Sequence, residues 1–349
     1  MTKTEYIREF MSYLEELSEE EKRQIEEYYE ELICDSLESG KTEEECIETF
    51  GNPREAAMRF CESYEKSKLS EQYSGEKRYQ PEGEIHTVDV QAEMSQIEIH
   101  ETSAGGKVCV ELKLDEERDT VEVHETEGVF RVCHEFCRKK HGKKGIRNFF
   151  ETYFRCQEGP KIRILLPKDF GGTLQVKTSN AKITMQEIRG LSKTFLTSSN
   201  APVNMENCIT EKVKIRTGNA AVILSQINAA EIDAVTSNGH IEVKNSQCEK
   251  IGLKSSNASI RMNQLIAGKL MAVTSNGKLC AEGCKSDEIL LCTSNGSITG
   301  TVIGDMHDFA IKSRTSNGSS NLPNTGYTNQ KKTLTAETSN GKIRIEFQS

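Results

Sequence analysis

The chain has 349 residues, a net charge of −9, modest apolar content (35%) and no tryptophan, a composition that allows more than one domain and suits thin units with little core each. No apolar run approaches the ~20 residues that cross a bilayer as a helix, which excludes a helical membrane span. Residues 1–66 hold 20 acidic and 8 basic groups (−12) and the rest of the chain 34 and 37 (+3), a profile that excludes nucleic acid as a general partner.

Residues 1–66 predict four helices. Tyr6, Phe10, Tyr13, Leu14 and Leu17 form one apolar face at helical spacing. Ser18 with Glu21 makes a capping box for a second helix, whose stripe is Ile25, Tyr28, Tyr29 and Leu32. Gly40 ends that region, and Thr42 with Glu45 caps a third helix that stops at Gly51. Asn52-Pro53-Arg54-Glu55 supplies cap, first-turn proline and acidic first turn for a fourth, with Ala57, Phe60, Cys61 and Tyr64 inward. The many Glu residues read as a solvated face.

Residues 67–84 are polar, contain Gly75, Pro81 and Gly83, and read as a linker. Residues 85–173 read as degenerate first coils and a cap. Val88, Val90, Ala92, Met94, Ile97 and Ile99 show strand alternation, and further strand patterns follow at 108–114, 121–123 and 162–166.

From 174 to 349 one phrase, Thr-Ser-Asn-Gly or a close variant, returns nine times. Its asparagines are Asn180, Asn200, Asn219, Asn238, Asn257, Asn276, Asn295, Asn317 and Asn340, at gaps of 20, 19, 19, 19, 19, 19, 22 and 23 residues. A fixed period near 20 signals a repeat architecture. Apolar residues alternate with polar ones on both sides of each Asn, as at Val213, Ile241 and Val243 around Asn219 and Asn238, so each repeat predicts two short half-buried strands joined at the phrase. Asn tolerates a left-handed backbone, and the Ala or Gly that follows it in every copy avoids crowding at the bend. Stacked coils would place each Asn over the next, its amide bonding along the column. The fold class expected is α + β with two domains: a small four-helix domain, then a single-chain β-solenoid of ~19-residue coils with an atypical N-terminal cap, nine coils spanning roughly 40 Å. A β-propeller blade needs about 40 residues and four strands, twice this period.

No catalytic signature emerges, and the reading is of a protein that is not an enzyme. Gly105-Gly106 and Gly171-Gly172 match no phosphate loop, and no cofactor is implied. The repeated Thr-Ser hydroxyls have no His at matching spacing to act as base. Cys133, His134, Cys137, His141 and Cys156 cluster in sequence without zinc-knuckle spacing, so they read as ordinary reduced residues, with zinc binding as the alternative. Between the strands lies a basic run, Arg138, Lys139, Lys140, Lys143, Lys144 and Arg147, followed by Ile146, Phe149, Phe150, Tyr153 and Phe154 at helical spacing. That segment reads as an amphipathic lid over the first coil. The alternative is contact with an anionic membrane surface through the same cations and rings. With 12 Cys in no regular spacing and no charged-then-apolar leader, the compartment expected is the cytoplasm, with a membrane-peripheral position as the alternative.

Tyr6 to Leu17, the Glu26–Glu31 run, and Gly40–Glu45 leading to Phe50-Gly51-Asn52-Pro53 resemble the bacterial HAAS helical domain. That resemblance implies a signalling role and a protein partner for residues 1–66, a PadR-type regulator. The nine-fold array resembles the "putative adhesin" family of bacterial β-strand repeats of unknown function, some of whose relatives are linked to cell-envelope stress responses. The expectation is a non-enzymatic interaction scaffold in signalling or envelope stress. The alternative is an adhesin-like binding protein of the surface or envelope.

Overall fold

A computed structural model describes residues 2–14, 22, 42–58, 75–102, 106–114, 119–136, 161–325 and 330–348. The chain divides into two compact units, residues 1–73 with 139–158 and residues 74–138 with 159–349.

In the first unit the described residues form three short helical segments rather than four full helices: α1 (Lys3–Ser12), α2 (Glu43–Phe50) and residues 53–58. The helix expected through Ile25–Leu32 lies outside the described residues. Local capping sets the helix starts. Thr2 and Glu5 exchange backbone and side-chain bonds (2.8 and 3.3 Å), and Thr42 and Glu45 repeat the pattern (2.9 and 3.3 Å). Asn52 Oδ1 accepts from the N–H groups of Arg54 and Glu55. Gly51, at φ 77°, ends α2 in the left-handed conformation that glycine adopts without strain. The buried faces hold Tyr6, Phe10, Leu14, Ile47, Phe50 and Ala57, with the Tyr6 and Phe50 rings 5.6 Å apart.

The second unit is a β-solenoid of about nine regular turns in one 19-stranded sheet. Parallel strands pair in a register one repeat apart, as in Val203↔Val222, Val222↔Ile241 and Ile241↔Ile260. Two strands per repeat, as between Ile298 and Thr315, give way in the central coils to one, because the chain there runs as extended backbone from one phrase to the next and bends twice on the way. Strand β11 (Val203–Thr217) shows it: Val203 and Met205 point inward, Glu206 and Asn207 outward, Cys208 and Thr210 inward, Glu211 and Lys212 outward, then Val213, Ile215 and Thr217 inward. Two consecutive outward residues break the period of two and mark a corner, so each coil has three sides. The middle corner falls seven residues after the Asn. There Glu187, Asn207, Gln226, Asn245, Gln264 and Gly283 take φ of 57°, 50°, 56°, 48°, 51° and 60°. A left-handed non-glycine residue costs roughly 1–2 kcal/mol, which the packed coil on either side of it offsets.

Both ends depart from sequential stacking. At the C-terminal end β15 (Leu279–Thr293) and β16 (Ile298–Ile303) pair with β18 (Lys332–Thr338) and β19 (Ile343–Gln348), while β17 (Phe309–Thr315) lies outside β18. The spatial order is therefore the Asn295, Asn340 and Asn317 coils. The residues explain it. The Asn340 coil offers buried Ile343 and Ile345 where the Asn317 coil has exposed Ser320, and only the apolar version suits a position covered on both sides. Asn324 and Thr325 then cover the outer edge of β17: Ser313 N–H donates to Asn324 Oδ1 (2.6 Å) and Ile311 N–H to Thr325 Oγ1 (2.8 Å).

At the N-terminal end β2 (Thr87–Ala92) and β3 (Gln96–Glu101) pair with β8 (Thr173–Thr178) and β9 (Ile183–Gln186) on one side. On the other they pair with β6 (Val129–Phe136) and β7 (Lys161–Leu166). The coil read as first is thus second in space. Antiparallel strands close the end: β5 (Asp119–Thr126) on β6, β4 (Cys109–Leu114) on β7, and β1 (Gly75–Tyr79) on β4. The linker read over 67–84 is corrected in its second half, since Gly75–Tyr79 is a strand whose Arg78 pairs with Glu111. The charged, alternating residues of that short strand look like linker because only one of its faces meets the core.

Candidate functional site

The recurrent chemistry of the chain is at the Thr-Ser-Asn-Gly corner. Eight side-chain bonds join the nine asparagines: each amide Nδ2 donates to the Oδ1 of the neighbouring coil's Asn at 2.6–2.8 Å, from Asn200→Asn180 through Asn295→Asn276, then Asn340→Asn295 and Asn317→Asn340. The column is solvent-exposed and follows the spatial order of the coils. Beneath it, in most coils, the backbone N–H groups of the Asn and the residue before it converge on one carbonyl of the coil below, as Ser237 and Asn238 do on Gly218 (both 3.0 Å).

The Thr or Ser two residues before each Asn is buried, except Thr315 of the Asn317 coil, which is half-buried. In most coils its hydroxyl accepts from the N–H three residues on and donates to the neighbouring coil's corner carbonyl. Thr293 Oγ1, for example, accepts from Gly296 N (3.1 Å) and donates to Gly277 O (3.0 Å), and Thr338 does the same with Gly341 and Gly296 (3.1 and 2.9 Å). These hydroxyls are thus bonded within the stack. The residue after Asn is tightly held: a Cβ added at Gly296 would lie 1.7 Å from Gly277 O, so glycine there is a steric requirement.

Among the described residues seven cysteines are free thiols. Cys208, Cys248 and Cys284 point into the coil, and burial pushes their thiols up to about 11, 12 and 11. Such thiols are weak nucleophiles at neutral pH. Burial also raises Cys292, on an outward face beside Glu337 and Lys312. Of the five residues clustered in sequence, Cys133 and His134 are described, while Cys137, His141 and Cys156 lie outside the described residues. No group of three or more metal-holding side chains occurs among the described residues.

His134 has a different setting, which its sequence neighbours did not signal. It is buried, its Nδ1 lies 2.9 Å from Ser95 Oγ and its Nε2 3.5 Å from Asp119 Oδ1. The Ser–His–Asp order resembles a nucleophile with its base, yet Ser95 is 0% exposed and a substrate cannot reach it. In register His134 aligns with Ala92 and Thr178, the place the buried Thr holds in regular coils, so the contact is the end coil's version of the corner bond. The basic and aromatic residues Arg138, Lys139, Lys140, Lys143, Lys144, Arg147, Phe149 and Phe150 lie outside the described residues. No described helix is long and apolar enough to cross a membrane.

A shallow groove lies on the side preceding the Asn column, lined by Val273, Cys292, Glu337, Arg314 and the serines Ser275 and Ser294. Its floor is flat sheet. A surface of this kind suits contact with another surface better than enclosure of a small molecule.

A stack of three-sided coils bonded corner to corner defines the class, and comparison with known proteins gives the family. Residues 82–349 match the Toastrack DUF4097 model and residues 5–59 the HAAS model. The chain belongs to the Toastrack DUF4097 family and carries an N-terminal HAAS domain. Its solved structural neighbours include a "putative adhesin" from Parabacteroides merdae (12% identity, 79% of this chain and 96% of that one, TM-score 0.43). A second "putative adhesin", from Parabacteroides distasonis, has 12% identity, 78% and 96% coverage and a TM-score of 0.40. A "putative cell adhesion protein" from Clostridium sporogenes has 11% identity, 78% and 99% coverage and a TM-score of 0.21. No curated protein matches.

Proposed function

We propose that the protein is a non-enzymatic interaction scaffold of the cytoplasm, in which residues 1–66 engage a protein partner and the solenoid carries that module. The setting is bacterial signalling or a cell-envelope stress response, and the HAAS resemblance points to a PadR-type regulator as the partner. One observation carries the reading: the recurrent hydroxyls and amides of the repeat bond to the stack itself, the Thr and Ser beneath the corner and the Asn along it. A repeat whose polar groups serve its own cohesion builds a rod with a defined surface, and the helical unit, with its own buried aromatic core, supplies a separate contact module.

The test is association of the purified full chain with a PadR-type regulator from the same cells, followed by calorimetry. A second chain carries Glu44→Lys and Glu55→Lys, exposed charge reversals on the helical unit. Binding by the native chain and its weakening in the reversed chain is the expected result. Equal heats for the two chains, or no association at all, overturn the reading.

A further inference from the structure

The side of the solenoid that precedes the Asn column is not uniform. Its outward residues lie five and three positions before each Asn, and the strand register aligns them in two rows across the coils. At the middle of the face both rows are apolar in two adjacent coils: Met271 and Val273 in one, Leu290 and Cys292 in the next, all partly exposed. Charge flanks this patch in an ordered way. One coil away on one side stands Lys254, and one coil further Asp233. One coil away on the other side stands Glu337, and one coil further Lys312 and Arg314. Moving outward from the apolar centre, the signs are plus then minus in one direction and minus then plus in the other.

We propose that this face is the contact between two copies of the chain, packed sheet to sheet about a two-fold axis that runs along the strands between the Met271 and Leu290 coils. Such an axis reverses the order of coils and keeps each row over itself. Met271 then meets Leu290 of the second copy, and Val273 meets its Cys292. Lys254 meets Glu337 of the second copy, and Asp233 meets its Lys312. These four pairs are apolar with apolar or plus with minus, and each charge pair occurs twice; the remaining two set Gly252 against Thr335 and Val235 against Arg314. An axis moved half a coil, through Met271 itself, would set Lys254 against Cys292 and Asp233 against Thr335 and lose the match. The charges are already ordered for the contact, since Arg216 holds Asp233 and Lys312 holds Glu337 within one copy, each at 2.5 Å.

Size fits a modest, reversible dimer. Six coils at about 4.8 Å and a side of about 17 Å give roughly 500 Å² per copy, roughly 1,000 Å² in total, the lower bound for a stable specific interface. An apolar centre with a charged rim is the arrangement such interfaces use, the rim setting orientation and register. The inference does not depend on the partner proposed for residues 1–66.

The test is sedimentation equilibrium of the full chain with three charge variants. The native chain should approach twice its 39.1 kDa as concentration rises. Lys254→Glu and Glu337→Lys should each weaken association by roughly tenfold or more, because each sets like charges opposite one another. The double variant carrying both should restore it to within about threefold of native, the charges being exchanged rather than lost. Lys254 and Glu337 stand three coils apart within one copy, roughly 14 Å, so rescue reports a contact between copies. Circular dichroism melts confirm that all four chains are folded. A native chain that stays monomeric, or a double variant no better than the singles, overturns the proposal.

Discussion

Stacking by nearest neighbours makes a counter-intuitive forecast: deleting 19 residues should be milder than changing one. Removal of 238–256 joins Ser237 to Asn257, so the phrase at the corner is rebuilt and the coils on either side meet in register. The shortened stack lacks one coil's share of stability, about 1–3 kcal/mol at roughly 0.05–0.15 kcal/mol per residue. Ile260→Asp keeps the length and breaks the inside. Ile260 is 0% exposed and pairs with Ile241 below and Leu279 above. The change removes about 1.5–3 kcal/mol of apolar burial and leaves a carboxyl without a partner, which costs several kcal/mol more whether it stays charged or takes up a proton. The total is on the order of 5 kcal/mol or above. Urea titrations of both variants and the native chain read the difference directly. A deletion variant less stable than the Ile260→Asp chain would refute nearest-neighbour stacking.

Other outcomes follow from the same residues. Cys208, Cys248 and Cys284 are raised to about 11, 12 and 11 by burial, so the unfolded thiols ionise first as pH rises. The stability they contribute is complete below about pH 9 and falls through the folded values. Melts between pH 8 and 11 should show this alkaline loss, reduced by Cys248→Ala, and a flat profile contradicts it. The isolated fragment 1–66 should be helical by circular dichroism, since Thr2, Thr42 and Asn52 cap helices within it, and a random-coil spectrum sinks the separate-module reading. If Arg138–Phe154 is a lid, Phe150→Ser costs about 3 kcal/mol and the native chain stays in the supernatant with phosphatidylserine vesicles. Co-sedimentation at low salt that high salt reverses assigns the segment to a membrane surface instead.

What the sequence made legible is what is local. The phrase Thr-Ser-Asn-Gly is a corner built by four adjacent residues, so its recurrence exposed the period and the solenoid class. The corner seven residues later was hidden because Glu187, Asn207, Gln226, Asn245, Gln264 and Gly283 share a backbone conformation and no residue type. Their spacing, two polar residues breaking an alternating run, was the available signal. The exchanged order of the end coils depends on which strand edges meet, a non-local choice, though Ser320 in an otherwise apolar position marked the Asn317 coil as different. Ser95, Asp119 and His134 come together from three strands or corners up to 39 residues apart, beyond any motif spacing. On the outward face, the apolar patch is distributed over two coils and becomes visible only when the register is known.

The order of the terminal coils decides that face, since it sets Glu337 beside Cys292 and puts Lys312 one coil beyond. Disulfide trapping tests it most directly. Ser339 N–H donates to Ser294 O at 3.0 Å, and Ser316 N–H to Ser339 O at 3.1 Å. The Ser294 and Ser339 backbones are therefore one coil apart, about 4.8 Å and within disulfide reach, whereas Ser294 and Ser316 are two coils apart, about 9.6 Å and beyond it. In a chain with Cys280 and Cys292 changed to Ser, the pair Ser294→Cys with Ser339→Cys should oxidise to a bridge found by peptide mass mapping, and Ser294→Cys with Ser316→Cys should not. A bridge in the second pair and none in the first would show coils stacked in sequence order and contradict the account.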